Sequence, residues 1–351
     1  MNSAIRKGWR NSASLIVLNK RVVDVQNSAR GGVNYDVLLQ TRPSTGSFPN
    51  SVVFPGGVSE SADGGERWLQ LYKSYGFGDE DFAAFHRVGT PTSALFQPNP
   101  IQRHIELRIT AIRETFEELG LLICSRVQKV QKGELWASFV TGVDIKHWQD
   151  RIAKDPAEFF NLCEQSECYP DIWSLYYWSN WLSPKSFPKR FNTAFFVAAL
   201  AKRPQIGSSN EVVKVEWSNP LELLERNSNK EVELYPPQQY ELTRLARIRD
   251  IKQLAEFAQD RSGYCGDLIY PVSVTAKNGI LWVNPGDQLY PSTVDYHTDE
   301  VNLTDKTLEE LREESKIIHR LEKHKADPGK WVLVTKNLKQ NNHIDMCEKS
   351  K

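Results

Sequence analysis

Two periodicities divide this chain. Residues 14–19 (SLIVLN) and 35–42 (YDVLLQTR) are short apolar runs separated by the Gly-rich stretch NSARGGVN, and this pattern predicts a β-hairpin. Residues 51–57 (SVVFPGG) predict a third strand, stopped by Pro55, Gly56 and Gly57. Over residues 105–119 the period changes. Ile105, Ile109, Ile112, Phe116 and Leu119 recur at spacings of four and three, which predicts an amphipathic helix with Gly120 as its C-cap. A polar helix over 147–168, a buried strand at 191–201 and a half-buried strand at 211–217 follow. Next come a short helix from Asn219, a longer helix over 238–259, and strands at 269–274 and 280–283. A charged helix over 306–325 and a strand at 331–335 complete the chain. Residues 59–104 break the rhythm with many Gly and Pro and two apolar patches, and predict a partly helical excursion on the surface. There is no internal repeat. Strands and helices mixed without βαβ regularity predict an α+β fold or an α/β/α sandwich.

Composition narrows the partners. The 351 residues carry 44 basic and 44 acidic side chains, so no global charge argues for nucleic acid or an anionic membrane. No apolar run approaches the roughly 18–20 residues of a membrane span. The five Cys residues (124, 163, 168, 265 and 347) form no CxxC pair and lack zinc spacing, which predicts reduced thiols. The basic N-terminal stretch reads as a short tail before the first strand rather than a transit peptide, because the apolar run after it is compact and β-branched.

The helix at 105–119 poses a chemical question. On a wheel of about 100° per residue its apolar stripe lies opposite Glu114, Glu117 and Glu118. Their spacing brings three like charges together, which costs stability unless solvent screens them or a cation binds. Carboxylates suit hard cations such as Mg²⁺, which also take phosphate oxygens, so such a face fits a diphosphate.

The surrounding residues carry a resemblance. Gly57, then Asp63 six positions later, then Arg113-Glu114-Thr115-Phe116-Glu117-Glu118-Leu119-Gly120-Leu121 resemble the Nudix box. The second half departs at Thr115, where the family prefers an aliphatic residue, and the first half departs at Asp63, in place of Glu. Arg113 falls 42 positions beyond its place in an uninterrupted box. The interruption, together with FPGGVSESAD (54–63), PDIWSLYYWSNWLSP (170–184), RFNTAFFVAAL (190–200) and ELYPPQQYEL (233–242), is similar to the nucleoside diphosphate-linked moiety X motif 19 subfamily of Nudix hydrolases, coenzyme A diphosphatases of animal peroxisomes. The likeness runs from about Ala13 to about Trp282 and thins beyond Leu303. Leu38, Leu39, Arg42 and Phe54–Gly57 are also similar to a motif upstream of the box in Nudix enzymes that act on coenzyme A, although its second basic residue is absent here.

The resemblance implies a Nudix fold with a mixed sheet over residues 12–260, residues 64–104 inserted in the box, and an α/β extension over 261–351. It implies hydrolysis of the diphosphate of coenzyme A or acyl-coenzyme A with Mg²⁺ or Mn²⁺ on Glu114, Glu117, Glu118 and the Gly57 carbonyl. Arg113 would pair with Glu117 or Asp63. The general base is a box Glu or an acid on a later loop, with Glu211 ahead of Glu216. Arg42, Phe54 and Gly56 are substrate-binding candidates. Trp173, Tyr176, Tyr177, Trp178 and Trp181 could stack on a base, though their spacing favours core packing. Another nucleoside diphosphate derivative (a nucleotide sugar, a dinucleotide or an RNA cap) and a silent nucleotide-binding module remain open. Oligomeric state is not readable. The resemblance implies a peroxisome, yet the chain ends Lys349-Ser350-Lys351 rather than Ser-Lys-Leu, which leaves cytoplasm or mitochondrion open.

Overall fold

Strand β1 (Arg10–Lys20) sorts its side chains between two cores. Ala13, Leu15 and Val17 join one apolar cluster, Ile16 and Leu18 the other. A strand buried on both faces belongs in the middle of a sheet covered on both sides. The computed structural model describes residues 8–21, 32–44, 50–87, 89–90, 92–128, 134–184, 187, 189–207, 209, 212–263, 268–294, 296 and 302–338. Strand β2 (Tyr35–Thr41) returns antiparallel to β1 with Val37 opposite Leu18, the expected hairpin. The single strand expected over 51–57 is instead two, β3 (Val52–Val53) and β4 (Gly56–Val58). Pro55 has no N–H to offer a ladder, and the chain switches there from pairing with β2 to pairing with β1.

The segment that interrupts the box is not a surface excursion. It forms α1 (Glu66–Ser74) and α2 (Asp79–Phe82), and its Trp68, Tyr72, Phe82, Leu95 and Phe96 are buried in the same cluster as the box helix. Tyr72 sits edge-on to Phe77, Phe82, Tyr169 and Trp173, and Phe77 stacks on Trp173 at 3.8 Å. Aromatic burial of this size anchors the insertion to the domain. Helix α3 (Pro100–Leu119) starts five residues earlier than its apolar period suggested, because the Asn99 side chain accepts from the Gln102 amide and Pro100 occupies the first turn.

Strand β5 (Cys124–Ser125) is followed by α4 (Ile145–Ile152) and α5 (Glu158–Gln165), and then by β6 (Tyr169–Pro170), which pairs with β5. The helix expected over 147–168 is thus two, separated around Pro156, which cannot continue the first. Helix α5 ends with Glu167 left-handed at φ 50° and the Cys168 amide bonded to the Cys163 carbonyl at 2.9 Å. This cap brings Cys163 against Cys168. With Cys124 they form a buried trio of free thiols whose sulfurs lie within 4.8 Å of one another. Cys265 and Cys347 lie outside the described residues.

The sheet is completed by β7 (Tyr176–Leu182), β8 (Phe191–Leu200) and β9 (Lys214–Ser218). Strand β8 runs parallel to β1 from Arg10 opposite Phe191 to Asn19 opposite Leu200, β7 is antiparallel to β8, and β9 pairs with β2. Helices α6 (Pro220–Ser228), α7 (Pro236–Leu245) and α8 (Ile251–Arg261) follow. Helix α3 covers one face of the sheet and α7 and α8 the other, the expected α/β/α sandwich. The helix expected over 238–259 is interrupted because Asp250 caps a new one, accepting from the Gln253 amide at 3.0 Å.

Strand β10 (Leu268–Ile269) lies at the sheet edge beside β7. Beyond Tyr270 and Pro271 a second sheet begins, built from β11 (Val272–Ala276), β12 (Gly279–Val283), β13 (Asn302–Leu303), β14 (Ile318–His324) and β15 (Val332–Lys336), in the order β13-β11-β12-β14-β15. Helix α9 (Leu308–Glu314) packs on it. The charged helix expected over 306–325 is corrected: its second half is a central strand. Its charges misled because they are buried pairs, with Arg320 donating to Glu322 at 2.8 Å. This sheet docks on α7, where the Tyr240 hydroxyl meets His319 Nε2 at 2.8 Å. Among the described residues no helix is long and apolar enough to cross a membrane.

Candidate active site

The C-terminal half of α3 is fixed at both ends of its turn. Gly120 closes it in the left-handed region, donating to the Phe116 carbonyl at 2.7 Å. The other terminal carbonyls also find donors: Gln149 on that of Glu117, and the Ser209 and Gly207 amides on those of Glu118 and Leu119. A helix end held this fully presents its side chains from a fixed base.

On the opposite side of the same turns, Arg113 is almost wholly buried and spreads its guanidinium over four partners. It donates to Asp63 at 2.8 and 3.0 Å, to the Val58 carbonyl at 2.9 Å and to Glu117 at 3.3 Å, and it lies 2.9 Å from Glu114. Both pairings expected for Arg113 are therefore made. Asp63 stands in a tight turn, Ser61–Gly64, where it also accepts from the Glu60 amide and the Thr110 hydroxyl. That turn carries the backbone close enough for the shorter Asp to reach Arg113.

Glu114 and Glu118 face strand β4, while Glu117 is held by Arg113. Glu118 accepts from the Gly56 amide at 2.9 Å. Gly56 itself has φ 150°, and a Cβ there would overlap the Ala13 carbonyl. A Cβ on Gly57 would collide with the Glu114 carboxylate, so this glycine leaves a cradle for that side chain. Glu114 pays for its place: burial, then Glu118 and Glu117, push its pKa up to about 8 against the pull of Arg113. A buried acid beside two others, with a backbone strand close by, is a donor set for a hard divalent cation. The glutamates do not gather within 4.8 Å of one another, since Arg113 holds Glu114 and Gly56 holds Glu118. Thr115 points the other way, into the core, where its hydroxyl donates to the Ala111 carbonyl at 2.7 Å and needs no outside partner.

Beside Gly56 and Gly57 opens a cavity of about 240 Å³, which Arg42, Phe54, Trp181, Tyr235 and Trp282 also line. The structure thus brings Arg42, Phe54, Gly56 and Gly57 together. Phe54 packs edge-on against Phe195 at 6.3 Å.

Compared with known families, residues 9–245 match the NUDT19 Nudix domain and residues 273–327 the NUDT19 C-terminal domain. The chain belongs to the NUDT19 family of Nudix hydrolases. It is 34% identical to the acyl-coenzyme A diphosphatase NUDT19 of Gallus gallus, over 92% of this chain and 90% of the relative. The protein of the same name from Homo sapiens is 31% identical over 92% of this chain and 91% of its own length. A crystal structure of a Nudix hydrolase from Alicyclobacillus acidocaldarius shares the fold, with a TM-score of 0.50 at 21% identity, over 71% of this chain and 96% of that one. Nudix hydrolases generally use divalent metal ions, in keeping with the donors on this family member's helix α3.

The two candidates for the general base outside the box differ. Glu211 lies outside the described residues, and Glu216 is engaged by Lys214 at 2.6 Å and Arg226 at 3.2 Å. Tyr176, Tyr177, Trp178 and Trp181 are core residues, as their spacing favoured, and Trp173 packs in the insertion's aromatic group. Sequence reasoning missed Glu241. It is fully buried and accepts from Trp178, Ser179 and Trp181 at 2.7 Å each and from Arg244 at 3.1 Å. It also missed Trp282, whose strand alternation gives no hint that it reaches a cavity in the first sheet.

Proposed function

We propose that this chain hydrolyses the diphosphate of coenzyme A or acyl-coenzyme A, releasing adenosine 3′,5′-bisphosphate and 4′-phosphopantetheine or its acyl form. One observation carries the reading: the acidic face of α3 lies on the Gly56–Gly57 strand, at the mouth of a cavity, in a family whose relatives are named acyl-coenzyme A diphosphatases. Glu114, Glu117, Glu118 and the Gly57 carbonyl are the ligands we assign to Mg²⁺ or Mn²⁺. Such a cation, when bound, neutralises diphosphate oxygens and makes a coordinated water more acidic. Arg113 positions the cluster, since its bonds to Asp63 and Val58 tie the helix to the turn below it. Arg42 binds a substrate phosphate as a charge-assisted donor. Water attacks one phosphorus, the bond to the bridging oxygen breaks, and two phosphate monoesters leave. Glu211 takes the water's proton in this scheme. Its support is the preceding loop, which bonds to α3 through the Ser209 amide. We assign residues 12–260 to the hydrolase domain and 261–351 to the extension. The compartment follows the resemblance, a peroxisome, and imaging the tagged chain beside a peroxisomal marker tests it.

A panel of diphosphates with Mg²⁺ or Mn²⁺ and separation of products tests the activity. Glu117→Gln and Glu118→Gln are expected to lower kcat by about 10²–10³ while the circular dichroism spectrum stays unchanged. Faster turnover of a capped RNA or a nucleotide sugar than of coenzyme A would overturn the substrate.

A further inference from the structure

We propose that the cavity beside Gly56 and Gly57 receives the apolar acyl arm of the substrate, and that Trp282 of the C-terminal sheet is a specificity-determining residue for it. The proposal rests on the diphosphatase reading for the other half of the substrate. Among the described lining residues Arg42 is the one charged side chain, and it shares the wall with Gly56 and with Gly57, which lies against Glu114. The rest of the wall is aromatic, aliphatic, proline or small polar, including Phe54, Trp181, Phe187, Pro236, Pro271 and Trp282.

Most of the wall's polar atoms are already engaged. The Ser12 and Thr193 hydroxyls bond to each other at 2.6 Å, Ser14 donates to the Pro55 carbonyl, and the Trp181 indole donates to Glu241. An adenine or a ribose buried here would find few free partners for its own polar atoms, an unfavourable exchange for water. A hydrocarbon chain loses nothing by the same move and gains from leaving water. The cavity therefore combines one cationic side chain and the Gly56–Gly57 backbone beside Glu114 with a wall that is otherwise mostly apolar or already hydrogen-bonded. Its complement is an amphipathic molecule: a phosphate anhydride carrying a fatty chain.

The apolar wall draws on both sheets, with Trp181 and Phe195 from the first and Trp282 from the second. Trp282 lies on β12, with Phe187 edge-on to it at 5.7 Å and Trp331, just before β15, at 4.6 Å. Pro271 joins β10 to β11 and lines the same wall. Among the described residues, the insertion at 64–104, packed in the same cluster as α3, contributes no lining residue. The second sheet is thus the element whose side chains would read the acyl group.

The test uses the full chain with Mg²⁺ and steady-state kinetics on coenzyme A, acetyl-coenzyme A and octanoyl-coenzyme A. Binding of the same three ligands in EDTA is followed by tryptophan fluorescence. Trp282→Ala is expected to lower kcat/KM for octanoyl-coenzyme A about tenfold more than that for coenzyme A, through KM, with Trp282→Phe restoring most of the loss. If Trp282→Ala does not fold, Phe187→Ala makes the same comparison. Equal losses on octanoyl-coenzyme A and coenzyme A would overturn the proposal, because the cavity would then hold the part common to both. A wild type that cleaves none of the three, yet binds octanoyl-coenzyme A more tightly than coenzyme A in a Trp282-dependent way, would refute the diphosphatase reading and support the cavity assignment.

Discussion

Arg113 and Gly57 show how a motif becomes geometry. The box spacing made both legible, and the pairing of Arg113 with Asp63 could be read across the interruption. What the motif could not convey is that the guanidinium is buried and shared by three carboxylates and a carbonyl. Removing one partner of a buried pair leaves a charge without its counterweight. Asp63→Ala is expected to destabilise the chain by about 3 kcal/mol, the low end for such pairs because Glu114, Glu117 and Val58 remain. Urea unfolding measures it, and a change below about 1 kcal/mol would refute the role. Gly57→Ala acts differently. Its methyl group occupies the Glu114 cradle and displaces a flexible side chain rather than the backbone. Mn²⁺ affinity, read by calorimetry, should fall at least about tenfold with the melting temperature little changed. Glu241 and Trp282 were not legible, because each acts through partners far along the chain and neither belongs to a local pattern.

Elements were legible where one physical signal dominated. The hairpin of β1 and β2, helix α3 and strand β8 follow from periodicity alone. Boundaries failed where a second signal competed. Pro55 divided one strand, Pro156 and Asp250 each divided a helix, and the buried charges of β14 imitated a solvated helix face. The insertion's Gly and Pro content suggested a surface loop, while its aromatic residues decided for burial. The end of α5 offers a direct test of one such local term. Glu167 holds a left-handed conformation at φ 50° that glycine adopts without cost. Glu167→Gly is therefore expected to stabilise the chain by up to about 1 kcal/mol. A loss of stability in thermal melts would mean that the Glu167 side chain contributes more than its backbone costs.

At the scale of the whole molecule, two buried histidines couple the fold to pH. His104 lies between Phe96 and Arg108 under the insertion, and burial, then Arg108, holds its pKa well below the ordinary value. His319 joins the second sheet to α7, accepting from Tyr240 and donating to the Pro285 carbonyl. Burial lowers its pKa too, outweighing the pull of Asp287. Both rings stay neutral in the folded chain at pH values where the unfolded chain has bound a proton. Their contribution is complete above the unfolded pKa of about 6.5 and is lost as pH falls below it. The melting temperature should drop between pH 7.5 and 5.5, and His319→Gln should flatten part of that drop. A melting temperature constant over this range would refute both assignments.

The parallel pairing of β1 with β8 has a consequence in time. Ser12 and Thr193 touch across 181 positions of sequence. During synthesis at about 5–20 residues per second, β1 waits roughly ten to forty seconds for this neighbour to be made. Its hairpin partner β2 arrives first, so the newborn chain holds a half-built sheet with an open apolar edge. Helix α3 and the aromatic insertion emerge within that interval and cover one of its faces. The segment that interrupts the catalytic motif thereby acts as an early shelter for the strand on which the rest of the sheet is assembled.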